Sequence, residues 1–171
     1  MPARPPIGCP VAEVVADPAR HRLDSVRLDE ASLASGGKAA TDERQVAVQD
    51  LLEQNSFRPE GAEGGPYGLV LSLIENRLAF DVTGPDYQRR HLLSLTPLRG
   101  VIKDYIIICD SYDAAIRQSS PGQIEAIDMG RRGLHNEGSQ QLRERLAGKI
   151  EVDLETARRL FTLICSLVRR T

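Results

Sequence analysis

YGLVLSLIENRLAFDVTGPDYQRRHLLSL, residues 67–95, decides the fold. Tyr67, Leu69, Leu71 and Leu73 alternate with smaller or more polar residues, the period of a strand with one buried face. Glu75-Asn76 supplies a turn, after which Leu78, Phe80 and Val82 alternate again. TGPD, residues 83–86, is a second turn, and His91, Leu93 and Leu95 complete a third strand. The stretch predicts an antiparallel meander with one apolar face and one mixed face.

Downstream, the period changes to that of helices. Thr96-Pro97 reads as a cap followed by proline at the first helical position. Leu98, Val101, Ile102, Tyr105, Ile106, Cys109, Tyr112 and Ile116 then recur at i, i+3, i+4 and i+7 spacing. Ser120-Pro121 repeats the start signal and opens a second helix. KIEVD, residues 149–153, is a short break. Asp153 caps a last helix with Ala157, Leu160, Phe161, Ile164, Cys165 and Val168 on its apolar stripe.

Upstream, residues 1–20 read as a proline-rich, poorly ordered extension. HRLDSVRLDE, residues 21–30, alternates partially and predicts a short edge strand. ASLASGGKAA, residues 31–40, is a small-residue linker. Thr41 with Asp42 and Glu43 starts a helix carrying Ala47, Val48, Leu51 and Leu52 on one face. Residues 21–171 thus form one expected α+β domain: a small antiparallel sheet of three to four strands with helices packed on one face. The expected order is β-α-β-β-β-α-α-α.

At 171 residues the chain can bury a core without disulfides or metal staples. A net charge of −2 argues against a whole-surface attraction to nucleic acid or membrane. Nineteen of the 22 basic residues are Arg, but they gather in no single stripe of the kind a nucleic-acid footprint requires. The three cysteines, Cys9, Cys109 and Cys165, are far apart, and no C-x-x-C pair exists. No secretory h-region and no membrane span is apparent. The expected location is the cytoplasm, in a reducing environment.

Familiar chemistries fail on their spacing. A P-loop at GGKAA would need Gly in place of Ser32 and Ser or Thr in place of Ala39. A phosphatase-type cysteine would need Arg six residues on, whereas Cys109 meets Arg117 eight residues later. His21, His91 and His135 are isolated, so neither a metal site nor a cofactor is expected. Asp113 can pair with Arg117 at i+4 on a solvated helix face. His91, after Arg89-Arg90, adds a local positive patch to an edge strand.

One stretch departs from this plain pattern: DMGRRGLHNEGS, residues 128–139. On one continuous helix, Asp128, Arg131 and His135 share the face of the buried stripe formed by Ile124, Ile127, Leu134, Leu142 and Leu146. Buried polar groups must pair with one another, with another helix or with a ligand. Gly130, Gly133 and Gly138 together weaken a helix by roughly 3 kcal/mol. Such a helix is expected to break near GRRG or to bring another backbone close at Gly138. A break would expose amides beside two arginines, an anion pocket.

Three readings follow. The first is an internal polar network that fixes helix register. The second is a small anionic-ligand or catalytic site. In that site Arg131, Arg132, Gly130 and Gly133 hold the anion, and His135, Glu137 or Asp128 handles protons. The third is RNA binding through Gly130-Arg131-Arg132-Gly133, which fits the GXXG clamp although the expected topology does not.

QIEAIDMGRRGLHNEGSQQLRERLAGKIEVDLETARRLFTLIC, residues 123–165, carries a resemblance together with LSLTPLRGVIKDYIIICDSYDAAI, residues 93–116, and LLEQNSFRP, residues 51–59. From about residue 21 onward the chain closely resembles the bacterial uncharacterised protein family 0262. The resemblance implies a soluble bacterial protein and carries no site across. The expectation is a non-catalytic binding or regulatory protein, with a protein partner or a second copy as occupant and no membrane. The alternative is an enzyme or sensor for a small phosphate or carboxylate ligand at Arg131, Arg132, His135 and Glu137.

Overall fold

A computed structural model describes residues 20–29 and 38–169. Most of the expected N-terminal extension, and residues 31–37 of the expected linker, lie outside the described residues. The elements are β1 (Leu23–Leu28), α1 (Lys38–Glu53), β2 (Phe57–Pro59), β3 (Tyr67–Ile74), β4 (Arg77–Gly84) and β5 (Tyr87–Ser94). They continue with α2 (Arg99–Gln118), α3 (Pro121–Leu146), β6 (Ile150–Val152) and α4 (Leu154–Val168).

The meander forms as its alternation predicts. Leu71 pairs with Phe80 and Leu69 with Val82; Phe80 then pairs with His91 and Leu78 with Leu93, so all point to one buried face. The sheet order is β1-β3-β4-β5. The sheet is mixed rather than purely antiparallel, because β1 pairs parallel with β3. A helix intervenes between those two strands, and a crossover of that kind delivers the chain back in the same direction. Two further short strands appear. KIEVD contains β6, which pairs antiparallel with β2 in a separate ribbon, Phe57 opposite Val152. Three-residue strands are too short to show a period.

α4 lies at the centre of the helical layer. Leu160, Phe161, Leu163, Ile164, Cys165 and Leu167 are all buried, as expected of a helix covered on most sides. Asp153 caps it, its carboxylate accepting from the Thr156 amide at 2.8 Å. Ser120 and Gln123 form a reciprocal capping box at the start of α3. The expected cap at Thr96 does not form. Thr96–Leu98 is a 3-10 turn, and the Thr96 hydroxyl instead accepts from Asn76 Nδ2 at 2.7 Å. α1 begins at Lys38, so the last three residues of the expected linker belong to the helix.

α2 and α3 form a helical hairpin. Arg169, just past α4, donates to Asp110 on α2 and marks the level at which α4 ends. Residues 111–118 run on past it. Ile116, on the predicted apolar stripe, is therefore 54% exposed rather than buried.

Candidate functional site

DMGRRGLHNEGS lies inside α3, and the expected break is absent: the helix is continuous from Pro121 to Leu146. Residues 130–133 therefore form neither a GXXG loop nor a helix N-terminus. The glycines have separate explanations. A β-carbon on Gly138 would collide with the ring of Phe161, so this glycine lets α4 approach through a side chain rather than its backbone. At Gly130 a β-carbon would meet Ile108 Cδ1 at 2.8 Å. At Gly133 it would meet nothing within 4 Å.

The i, i+3, i+7 spacing brings Asp128, Arg131 and His135 to one face, half-buried. Asp128 holds both arginines: one oxygen accepts from Arg131 Nε at 3.1 Å, and the other lies 3.2 Å from Arg132 Nε. The Arg131 hydrogen bond, with both guanidinium charges, keeps the Asp128 carboxyl below the usual carboxylate range although partial burial opposes this. Arg131 is itself covered. Its guanidinium carbon sits 4.3 Å from the Tyr112 ring centroid, a cation–π contact.

His135 packs between Tyr105 and Phe161, at ring distances of 5.2 and 5.3 Å. Its Nε2 lies 2.9 Å from Thr162 Oγ1. The Thr162 hydroxyl donates to the Arg158 carbonyl, so it accepts from His135 and fixes the proton on Nε2. Burial, reinforced by Arg158, Arg131 and Arg159, pushes the His135 pKa down to about 4. The ring is therefore neutral at neutral pH. Beside it, Arg158 Nη1 donates to Asn136 Oδ1 at 2.6 Å, while Arg158 Nε is buried without a partner.

Glu137 is not part of this group. Two residues turn a helix by about 200°, and Glu137 is exposed on the far side, accepting from Gln141 at 3.4 Å. Burial raises the thiol pKa values of Cys109 and Cys165 above the ordinary value. Among the described residues, no group of three or more His, Cys, Asp or Glu could hold a metal ion. None of the described helices is long and apolar enough to cross a membrane.

A second polar group lay beyond the reach of sequence reasoning. His21 Nδ1 lies 3.0 Å from the Tyr67 hydroxyl, and Tyr67 meets Tyr87 edge-on. Tyr87 donates to the Glu60 carbonyl, so His91 Nε2, at 3.0 Å, donates to Tyr87. His91 is buried on the sheet face that carries Phe80 and Leu93, not displayed in an edge-strand charge patch. Burial first, then Arg89, lowers its pKa. Alternation does place His91 on the same face as Leu93. No local signal links it to His21.

Comparison with known proteins adds a family and no activity. A UPF0262 protein of Phenylobacterium zucineum is 64% identical over 155 residues, covering 90% of this chain and 98% of the relative. One of Caulobacter vibrioides is 66% identical over 149 residues, 87% of this chain and 94% of the relative. One of Brucella canis is 57% identical over 157 residues. No solved structure matches the chain. The family described as "Uncharacterised protein family (UPF0262)" matches residues 20–170, and the chain belongs to it.

Proposed function

We propose that this chain is a non-catalytic binding or regulatory protein of the cytoplasm, with residues 21–171 acting as one domain. The observation that carries this reading is the mutual engagement of the α3 cluster. Asp128 is committed to Arg131 and Arg132, Arg131 to Tyr112, and His135 to Thr162. Groups tied in this way act as a register lock between α2, α3 and α4. The free thiols of Cys109 and Cys165 support a reducing compartment.

One observation favours the second reading, a phosphate or carboxylate site at Arg131, Arg132 and His135, with Gly130 and Gly133 on the same helix and without Glu137. The buried Nε–H of Arg158 has no acceptor, and an anion would supply one. Thermal unfolding with added inorganic phosphate or acetate separates the two readings. A ligand specific for the native state, at a hundredfold excess over its Kd, stabilises by ~2.7 kcal/mol. A rise in Tm that Arg131→Gln abolishes would replace the binding reading with the anion site. An unchanged Tm supports the register lock.

A further inference from the structure

We propose that the free end of the α2–α3 hairpin binds a second copy of this chain, about a two-fold axis at the level of residue 115 on α2. The inference goes beyond the reading above and does not depend on whether the α3 cluster takes an anion.

Pattern and burial disagree at the end of α2. Ile116 continues the stripe that buries Ile102, yet it is among the most exposed large apolar side chains described. The cause is positional: α4 stops where Arg169 meets Asp110, and α2 continues for two more turns. Over those turns Ala115 is buried, while Ile124 and Ile127 stay only half-buried. What remains past the end of α4 is a partly exposed strip of Ile116, Ile124 and Ile127, next to the Asp128–Arg131 pair that stacks on Tyr112.

Charge decides the occupant. Asp113 and Arg117 lie one turn apart on the same side of Ile116 around the helix, and both are exposed. Among the described residues neither makes an ion pair, and the expected i, i+4 bridge between them does not form. In an antiparallel pair of helices related by a two-fold axis, residues equidistant from the axis face each other. With the axis at 115, Asp113 of each copy comes level with Arg117 of the other, and the two Ile116 side chains, offset by about 3 Å along the helices, can touch beside them. The strip is thus complementary to itself in both hydrophobicity and charge. Such contacts set the register of a pair as well as its affinity.

The test is the mass of the full chain in solution, by light scattering and sedimentation equilibrium. The expected result is a pair rather than a single 18.8 kDa chain. Ile116→Asp is expected to give a monomer with an unchanged far-ultraviolet circular dichroism spectrum, since the side chain is half-exposed. Asp113→Arg and Arg117→Asp, made singly, set like charges opposite each other and should each weaken the pair about tenfold or more. Made together, they should restore it. A monomeric wild type overturns the proposal. So does a dimer indifferent to Ile116→Asp, which would put the interface elsewhere. Failure of the double exchange to restore the pair overturns the register.

Discussion

His135 is surrounded by Tyr105, Phe161, Thr162 and the charges of Arg131, Arg158 and Arg159. An imidazole there resists protonation in the folded state, whereas the unfolded chain takes a proton near the ordinary value of 6.5. The folded pKa is depressed, so the contribution of His135 to stability is complete above about pH 6.5. It is lost as pH falls and is gone by about pH 4. Allowing for partial exposure, the loss is about 1–2 kcal/mol. Urea midpoints at pH 7 and 4.5 should therefore fall further for the wild type than for His135→Gln. His91 and Asp128, also depressed, add to the slope in both proteins. Equal slopes would mean that His135 titrates normally. At pH 7, His135→Ala should lose about 2 kcal/mol, the scale for stranding Thr162. The placement of Asp128, Arg131 and His135 on one face was legible from their spacing alone. The Tyr112 stack and the Thr162 acceptor were not, because they come from helices whose rotation about their axes the sequence leaves open.

Two glycines of α3, five residues apart, should respond oppositely to the same substitution. Gly138→Ala drives a methyl group into Phe161 and should destabilise by about 1–3 kcal/mol. Gly133→Ala meets open space and should stabilise by about 0.5–1 kcal/mol through helix propensity. Chemical unfolding of the two variants beside the wild type checks both; a destabilised Gly133→Ala would show that its backbone is wanted bare. Of the two outcomes expected of this glycine-rich helix, the break near GRRG does not occur, and the close approach at Gly138 does, made by the Phe161 ring rather than by backbone. Caps were more legible. Ser120 and Asp153 behave as their local sequence predicts, since a cap is decided within four residues. Thr96 does not, because Asn76 from the β3–β4 turn takes its hydroxyl, and Arg99 donates to the same Asn76 side chain at 2.8 Å.

At the scale of the molecule, Asn55 ties β1 to the end of α1 through hydrogen bonds, beside the apolar packing of Leu23 and Val26. Asn55 accepts from the Leu23 amide at 2.7 Å and donates to the carbonyls of Leu23 and Leu51. Asn55→Ala should lose about 2–3 kcal/mol. Hydrogen exchange at Leu23 should accelerate by more than at Leu71, in the middle of β3. Equal acceleration would mean that the sheet opens as one unit. The sequence told the helical layer and meander apart by period, and could not show that β1 enters parallel or that β2 finds β6. Both depend on partners dozens of residues away, and no window of local pattern reaches so far.

The distance between partners has a further consequence for α4. The Ser56 amide donates to Thr156, a hundred residues on, and the helix that fills the centre of the core comes after every described strand. During synthesis the sheet and α1 leave the ribosome with their apolar faces uncovered and must wait for residues 154–168 before the core can close. A nascent chain stalled before residue 154 should therefore be sensitive to protease, and one extended past the end of α4 and clear of the exit tunnel should resist it. Folding is expected to finish as one late event rather than to accumulate strand by strand.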